Sequence, residues 1–236
     1  VNRIAKLLLG VILVLATAVP ALGQPPAAQG PSLRTSRVAK RLWLRFTIKG
    51  ASPNEMAQRL ERLYQIEDPW NLQARTEAVR FQAVNDLVRH HFPDTGTLLE
   101  LGSGEGLQSE YLLGVTKELY GADVSPTAVA RAERRVPAAR FYSGDFRARP
   151  WQEAIDRFDL IVACEVLYYL PEAEVRETVA TLSRLGRGCI VTFVSSAAPR
   201  VAHALPPHAE RSWIHSGDVT WLVAWWRNPD PIGSPP

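Results

Sequence analysis

The sequence predicts an α/β protein whose sheet has seven strands, mostly parallel, and ends in an antiparallel hairpin. Three observations carry this. A short apolar strand, Thr97 to Leu101, runs into glycines at every second position, Gly102, Gly104 and Gly106. Further strand-like runs follow at Glu118–Asp123, Arg140–Ser143, Phe158–Cys164 and Gly188–Val194, and helical stretches separate most of them. That alternation builds a parallel sheet. Finally, Arg211 to His215, a Ser-Gly-Asp turn and Val219 to Arg227 read as two strands of a hairpin. No internal repeat interrupts the pattern.

The 236 residues suffice for one α/β domain with extensions, and an apolar content of 46% allows a full core. The formal charge of +3 is unevenly spread. Residues 1–50 carry eight Lys/Arg and no Asp/Glu, leaving 19 basic and 24 acidic residues beyond them. The folded part is therefore mildly acidic, which argues against a phosphate-tracking surface, and no nucleic-acid partner is expected. Cys164 and Cys189 fall at the end of one strand and the start of its parallel neighbour, roughly 15–20 Å apart and beyond disulfide reach. Free thiols favour a reducing compartment, and core packing is the expected role for both.

At the N-terminus, residues 4–23 hold an apolar run preceded by Arg3 and Lys6. A signal peptide conflicts with the cysteine argument. A membrane anchor fits the basic residues that follow (Arg34, Arg37, Lys40, Arg41, Arg45, Lys49) and puts the main domain on the cytoplasmic face, tethered to the membrane. An over-extended start is the third reading, and it stays open beside the anchor. Residues 24–36 read as a linker, and Val38 to Ile48 as a membrane-surface or solvated helix. The expected layout is an extension over 1–50, helices over 51–95, the sheet domain over 96–230 and a tail over 231–236.

Ser52-Pro53-Asn54-Glu55 starts a helix that runs to about Gln65 and is ended by Asp68-Pro69-Trp70. A second helix fits Arg75 to His91, closed by Pro93 and Gly96. Leu107 to Val115 follows the glycines as a helix. Asp123 lies at the tip of the second strand, where Rossmann-type sites bind ribose hydroxyls. Ser125 is the cap of the next helix, which runs to about Arg135 and leaves Asp123 free of that task. The third strand ends in Gly144-Asp145-Phe146. Pro171 opens a helix to about Leu185, stopped by Gly186. A loop with His203 and His208 precedes the hairpin.

The glycine turn admits two motif readings. A dinucleotide fingerprint is G-x-G-x-x-G, but Leu107 occupies the place of its third glycine. E-L-G-S-G-E-G instead resembles motif I of the class I methyltransferases that use S-adenosylmethionine, and G-A-D-V-S-P resembles their second motif. Tyr64, Asp68-Pro69-Trp70, Glu100-Leu101-Gly102, Phe158 to Val162, Glu165-Val166-Leu167-Tyr168-Tyr169-Leu170 and Arg227-Asn228-Pro229 together resemble NodS-like methyltransferases, over about Tyr64 to Pro229.

That resemblance implies a Rossmann-like class I methyltransferase fold with S-adenosyl-L-methionine as cofactor. It implies a cofactor site of Glu100, Gly102, Ser103, Gly104, Gly106, Asp123, Val124, Asp145, Phe146 and Trp70. Asp145 would accept from the adenine amine and Phe146 would pack on the ring. In the family, the nodulation enzyme N-methylates the free amine of a chitooligosaccharide, so a small-molecule amine acceptor is implied. The segment between the fifth strand and the hairpin is shorter than usual there. The acid-Pro-Pro-aromatic motif of nucleic-acid amino-methyltransferases is absent.

An amine nucleophile must be neutral, so a base or a desolvated pocket is needed. Glu165 is the candidate for orienting or deprotonating the acceptor; a structural cap on the following turn is the equal alternative. Tyr168 and Tyr169 are expected to line the acceptor pocket, one of them being core. Trp70 and Tyr64 read as a lid or as simple helix packing. His90 and His91 are expected to be solvated, and His203, His208 and His215 lack metal-ligand spacing, so no metal is expected. Two rivals complete the field: a nicotinamide oxidoreductase, opposed by Leu107, and a non-catalytic cofactor-binding protein, opposed by Glu165.

Overall fold

The structure, a computed structural model, describes residues 52–228. The apolar run at residues 4–23, the linker, the basic stretch to Ile48 and the C-terminal tail lie outside the described residues. Among those described, no helix is long and apolar enough to cross a membrane.

Two helices open the described chain, α1 (Pro53–Leu63) and α2 (Arg75–His91). Then come β1 (Thr97–Leu101), α3 (Leu107–Leu112), β2 (Glu118–Asp123), α4 (Pro126–Arg135), β3 (Arg140–Ser143), β4 (Phe158–Cys164) and α5 (Glu172–Leu185). The chain closes with β5 (Gly186–Val194), α6 (Ala198–Val201), β6 (Glu210–Ser216) and β7 (Val219–Arg227). The seven strands form one sheet in the order β3-β2-β1-β4-β5-β7-β6. β1 to β5 are parallel, and β7 runs antiparallel between β5 and β6. The hairpin thus enters through its second strand and leaves β6 at the edge.

Strand alternation splits the core into two layers. Leu99, Leu101, Ile161, Val191 and Phe193 pack on one face against Val175, Val179 and Leu182 of α5. Leu98, Leu160, Val162 and Ile190 pack on the other against Val84 and Val88 of α2, with Trp221 and Trp225 of β7. Asp159 fixes the relative register of the two central strands. Its Oδ2 accepts from Gly96 N (3.1 Å), Thr97 N (2.9 Å) and Thr97 Oγ1 (3.1 Å).

Several boundaries differ from the sequence reading. The helix from Leu107 ends at Leu112, and Leu113–Val115 tighten into a 3₁₀ turn. Pro171 caps α5 from outside rather than opening it. α5 passes straight into β5 at Gly186, which is already extended (φ −118°), so the strand starts two residues earlier than expected. The expected loop around His203 contains α6 between 3₁₀ turns. Cys164 pairs with Thr192 and Ile161 with Cys189, so the two Cα atoms are only three rungs apart, about 11 Å. The expected 15–20 Å was too long because β5 begins earlier; the cysteines still lie beyond bonding distance and are free and buried on opposite faces.

α1 and the segment that follows it form a strap. α1 is closed by a capping box between Ser52 and Glu55. Further along it, Glu61 accepts from the hydroxyls of Ser125 (2.5 Å) and Thr127 at the N-terminus of α4. Glu105 then accepts from Asp68 N (2.9 Å) and pairs with Arg131, whose guanidinium also donates to Ile66 O (3.2 Å).

One contact offers a direct test of the packing beneath β5. A methyl group on Gly188 would lie 2.3 Å from a ring carbon of Phe92, which is itself buried. Gly188→Ala should therefore cost about 1–3 kcal/mol, read as a lower urea midpoint at unchanged slope. A wild-type midpoint would mean that this interface repacks freely.

Candidate active site

The site grows from the end of β1. The chain leaves Leu101 through Gly102 and Gly104, whose φ values of +70° and +53° suit glycine alone. Side chains there would also meet Val166 Cγ2 at 3.0 Å and the Tyr64 hydroxyl at 2.9 Å. Gly102 N and Ser103 N both donate to Ala122 O, at 2.8 and 3.1 Å, which pins the turn to the end of β2. Above it opens a cavity of about 420 Å³, a usual size for a small-molecule site.

Asp123 lines this cavity and is buried. Its Oδ2 accepts from Gly104 N (3.0 Å) and its Oδ1 from Ser125 N (2.9 Å). Burial raises its pKa to about 6 despite these bonds. Ser103 is a wall residue whose buried hydroxyl has no partner among the described residues. Glu100, 3% exposed, is pushed to about 8 by burial, so its carboxyl is mostly protonated at neutral pH. The Ser109 hydroxyl donates to it.

Of the residues expected at the cofactor, Glu100, Gly102, Ser103, Gly104, Asp123, Val124, Asp145, Phe146 and Trp70 all reach the cavity wall. Gly106 does not. A side chain there would meet Ala132 Cα at 3.1 Å, so this glycine serves the packing of α3 on α4. Asp145 arrives with a companion that sequence reasoning missed. Arg147 Nε lies 2.9 and 3.0 Å from its two oxygens, and Arg147 also pairs with Glu174. Burial opposes ionisation of Asp145, but the bonds from Arg147 outweigh it and hold the carboxyl below its ordinary range.

Glu165 follows β4 in the left-handed region (φ +59°), which turns its side chain toward the end of β5. Its Oε1 accepts from Thr192 Oγ1 (3.1 Å), and its Oε2 from Val194 N (3.1 Å) and the Tyr168 hydroxyl (3.2 Å). These partners bridge two strands; none is a backbone group of the following turn, so the expected cap takes a different form. Burial raises the Glu165 pKa. Tyr168 and Tyr169 both line the cavity, their rings 4.8 Å apart, and Tyr168 also packs partly buried against the core beside Leu167. Tyr169 meets Trp70 at 6.0 Å, and Trp70 Nε1 donates to the Tyr64 hydroxyl (3.1 Å). One aromatic run therefore joins the strap to the segment after β4.

Arg80 is the residue the sequence did not announce. It is 2% exposed, yet it stands in the apolar stripe of α2 with Phe81, Val84 and Val88. A lone charge within such a stripe was the available signal. Its Nε donates to Glu77 (3.0 Å) and its Nη1 to Gln108 (2.9 Å), whose own amide reaches Cys164 Sγ at 3.3 Å. Among the described residues, no three His, Cys, Asp or Glu side chains gather closely enough to hold a metal ion.

Parallel strands with a glycine turn after β1, a buried acid at the tip of β2 and a cavity over their carboxyl ends are the architecture of class I S-adenosylmethionine-dependent methyltransferases. Within that class, the sequence model of nodulation protein S (NodS) matches residues 52–201, and the chain belongs to this family. It is 31% identical over 144 residues to nodulation protein S of Bradyrhizobium diazoefficiens, covering 55% of this chain and 65% of the relative. With nodulation protein S of Sinorhizobium fredii the identity is 36% over 128 residues, covering 52% and 57%. The chain thus matches less than two thirds of the length of either relative. The solved N-methyltransferase NodS from Bradyrhizobium japonicum, in complex with S-adenosyl-L-homocysteine, aligns at a TM-score of 0.64 with 26% identity, over 74% of this chain and 99% of that one.

The raised pKa of Glu100 has a consequence for stability. Its ordinary value is 4.5, and the folded state holds it near 8. The native state therefore binds the extra proton, and the stability Glu100 contributes is full below about 4.5 and lost as pH rises through about 8. Glu100→Gln should flatten that slope in denaturation curves recorded between pH 5 and 9, gaining most over wild type at the alkaline end. Parallel curves for the two proteins would mean that Glu100 is ionised in the fold.

Proposed function

We propose that this chain is an S-adenosylmethionine-dependent methyltransferase acting on the amine nitrogen of a small molecule. The observation that carries the reading is the buried Asp123 carboxylate, facing the cavity beside the Gly102–Gly104 turn. The residues present fit the cofactor. Asp123 keeps lone pairs for two ribose hydroxyls, and the unpartnered Ser103 hydroxyl has a partner to gain. Gly102 and Gly104 let a ligand approach the backbone. At the adenine end, Phe146 offers a ring face, and Asp145 lines the cavity with both carboxylate oxygens engaged by Arg147, so it can accept from an adenine amine only by sharing those bonds. The similar protein from Bradyrhizobium japonicum is an N-methyltransferase, which supports nitrogen as the acceptor atom. A nicotinamide oxidoreductase is disfavoured by Leu107 and by the family match. The two free, buried thiols favour a cytoplasmic setting for the domain.

The cofactor supplies an electrophilic methyl group on a sulfonium sulfur. The chain's own residues do the rest. Glu165 stands at the cavity wall with its pKa raised by burial, a suitable acceptor for the proton of an ammonium acceptor. Tyr168 and Val194 N fix the orientation of that carboxylate. Tyr64, Trp70 and Tyr169 cover the site and exclude water, which strengthens every electrostatic contact inside it. Transfer of labelled methyl from S-adenosylmethionine onto a panel of amines and amino sugars tests the reading. A methylated amine is expected; cofactor binding with no transfer to any acceptor would leave a binding protein.

Two variants separate the roles. Asp123→Ala should weaken S-adenosylhomocysteine binding by roughly 1.5–3 kcal/mol. Because Asp123 ionises near pH 6, wild-type affinity should fall as pH drops through that value, and Asp123→Asn should abolish the dependence. Unchanged calorimetric affinity in a folded Asp123→Ala protein would remove the ribose role.

Glu165→Gln can keep its carbonyl toward Val194 N–H and donate its amide to Thr192 Oγ1, so the fold should be lost by no more than about 1 kcal/mol. Single-turnover methyl transfer should nevertheless fall about 10²–10⁴-fold. Normal turnover at normal cofactor affinity would take Glu165 out of the mechanism.

A further inference from the structure

We infer that Arg80 selects the acceptor: its open N–H edge takes a neutral oxygen, a hydroxyl or carbonyl, on the molecule whose nitrogen faces Glu165. The inference rests on the amine reading above only for the nitrogen.

A guanidinium carries five N–H donors and never loses its charge. Arg80 is 2% exposed, and the described residues accept from it at two places, Nε to Glu77 and Nη1 to Gln108. Its Nη2 has no partner among the described residues, and the side chain lines the cavity. This edge is therefore reached from the cavity, and a ligand oxygen that displaces water there would accept from a charged donor, one of the stronger kinds of hydrogen bond.

The group is also held still. Its Cζ sits 4.7 Å from the centre of the Phe81 ring and 6.0 Å from that of Trp221, while Glu77 and Gln108 fix its plane. Such a fixed donor reads position as well as charge.

The neighbouring charges decide which oxygen fits. Glu77 already balances the Arg80 cation, and Glu165 is close enough to interact with it electrostatically. A ligand carboxylate would add a negative charge beside these two acids. A hydroxyl or carbonyl meets the donors without that repulsion. Glu165 and Arg80 line one cavity, so a single acceptor can present its nitrogen to the first and its oxygen to the second.

Three probes share one ring and one amine and differ only at the adjacent carbon: cyclohexylamine, trans-2-aminocyclohexanol and trans-2-aminocyclohexanecarboxylate. Methyl transfer gives kcat/KM for each, and ligand-observed NMR gives binding to the protein loaded with S-adenosylhomocysteine. Wild type should prefer the alcohol over the plain amine by roughly 10–100-fold, the worth of one hydrogen bond to a charged donor. Arg80→Met should cut that ratio to about threefold or less. Arg80→Lys, which keeps the charge but loses the planar fork, should fall between. Melting temperatures and cofactor affinity of both variants check the fold, and the wild-type ratio decides if neither variant folds.

Equal wild-type rates on alcohol and plain amine, or an unchanged ratio in Arg80→Met, overturn the assignment and leave the amine reading standing. Preference for the carboxylate overturns the neutral oxygen. Arg80-dependent binding of the alcohol without methylation of any probe upholds the assignment and overturns the amine reading. Neither binding nor methylation overturns both.

Discussion

The structure turns on one constraint: three carboxyl groups, those of Glu100, Asp123 and Glu165, are held out of water at the carboxyl ends of neighbouring strands. Burial penalises the charged form of each, and all three pKa values rise, with Asp123, Glu61 and Glu77 adding like-charge repulsion to Glu100, Asp123 and Glu165 respectively. The fold meets the demand differently at each position. Glu100 keeps its proton and accepts from Ser109. Asp123 takes two backbone N–H donors from the turns on either side of it. Glu165 takes its donors from the end of β5 and from Tyr168. One buried cation, Arg80, contributes a favourable field to Glu100 and Glu165.

That division of partners gives one cavity several kinds of chemistry. A protonated acid can donate, an ionised acid accepts from hydroxyls, and an acid with a raised pKa is a stronger proton acceptor than an ordinary carboxylate. Their spacing follows from the sheet. β1, β2 and β4 are adjacent, so the residues that follow them converge on one crevice without further adjustment. The Asp159 clamp at the opposite end, between the starts of β1 and β4, keeps that convergence in register.

The strap completes the enclosure. Glu61 and Glu105 attach it to α4 through polar contacts at the rim, while Tyr64 and Trp70 reach over the glycine turn. Its ties are hydrogen bonds and an ion pair, and their acceptor Glu105 and donor Ser125 are themselves buried, whereas its inner face is aromatic.

The sequence by itself determined the parallel strands, the helices between them and the glycine turn, because these depend on local apolar runs, caps and backbone freedom at Gly102 and Gly104. It also singled out Asp123 and Glu165, since both directly follow or end a strand, where side chains emerge at the crevice. Tertiary structure alone decided the rest. β7, an almost wholly apolar run, takes the inner place against β5, and the polar β6 takes the edge, a choice realised only when Gly188–Val194 pairs with Trp221–Arg227 and Trp221 and Trp225 are buried beside α2. Gly106 looked like a cofactor residue because glycine spacing cannot distinguish a ligand's approach from that of Ala132 in α4. Arg147 is bound to Glu174, 27 residues away, and Arg80 to Gln108, 28 residues away, and neither contact leaves a local pattern. Side chains whose meaning lies in long-range partners become readable only when the sheet brings those partners together.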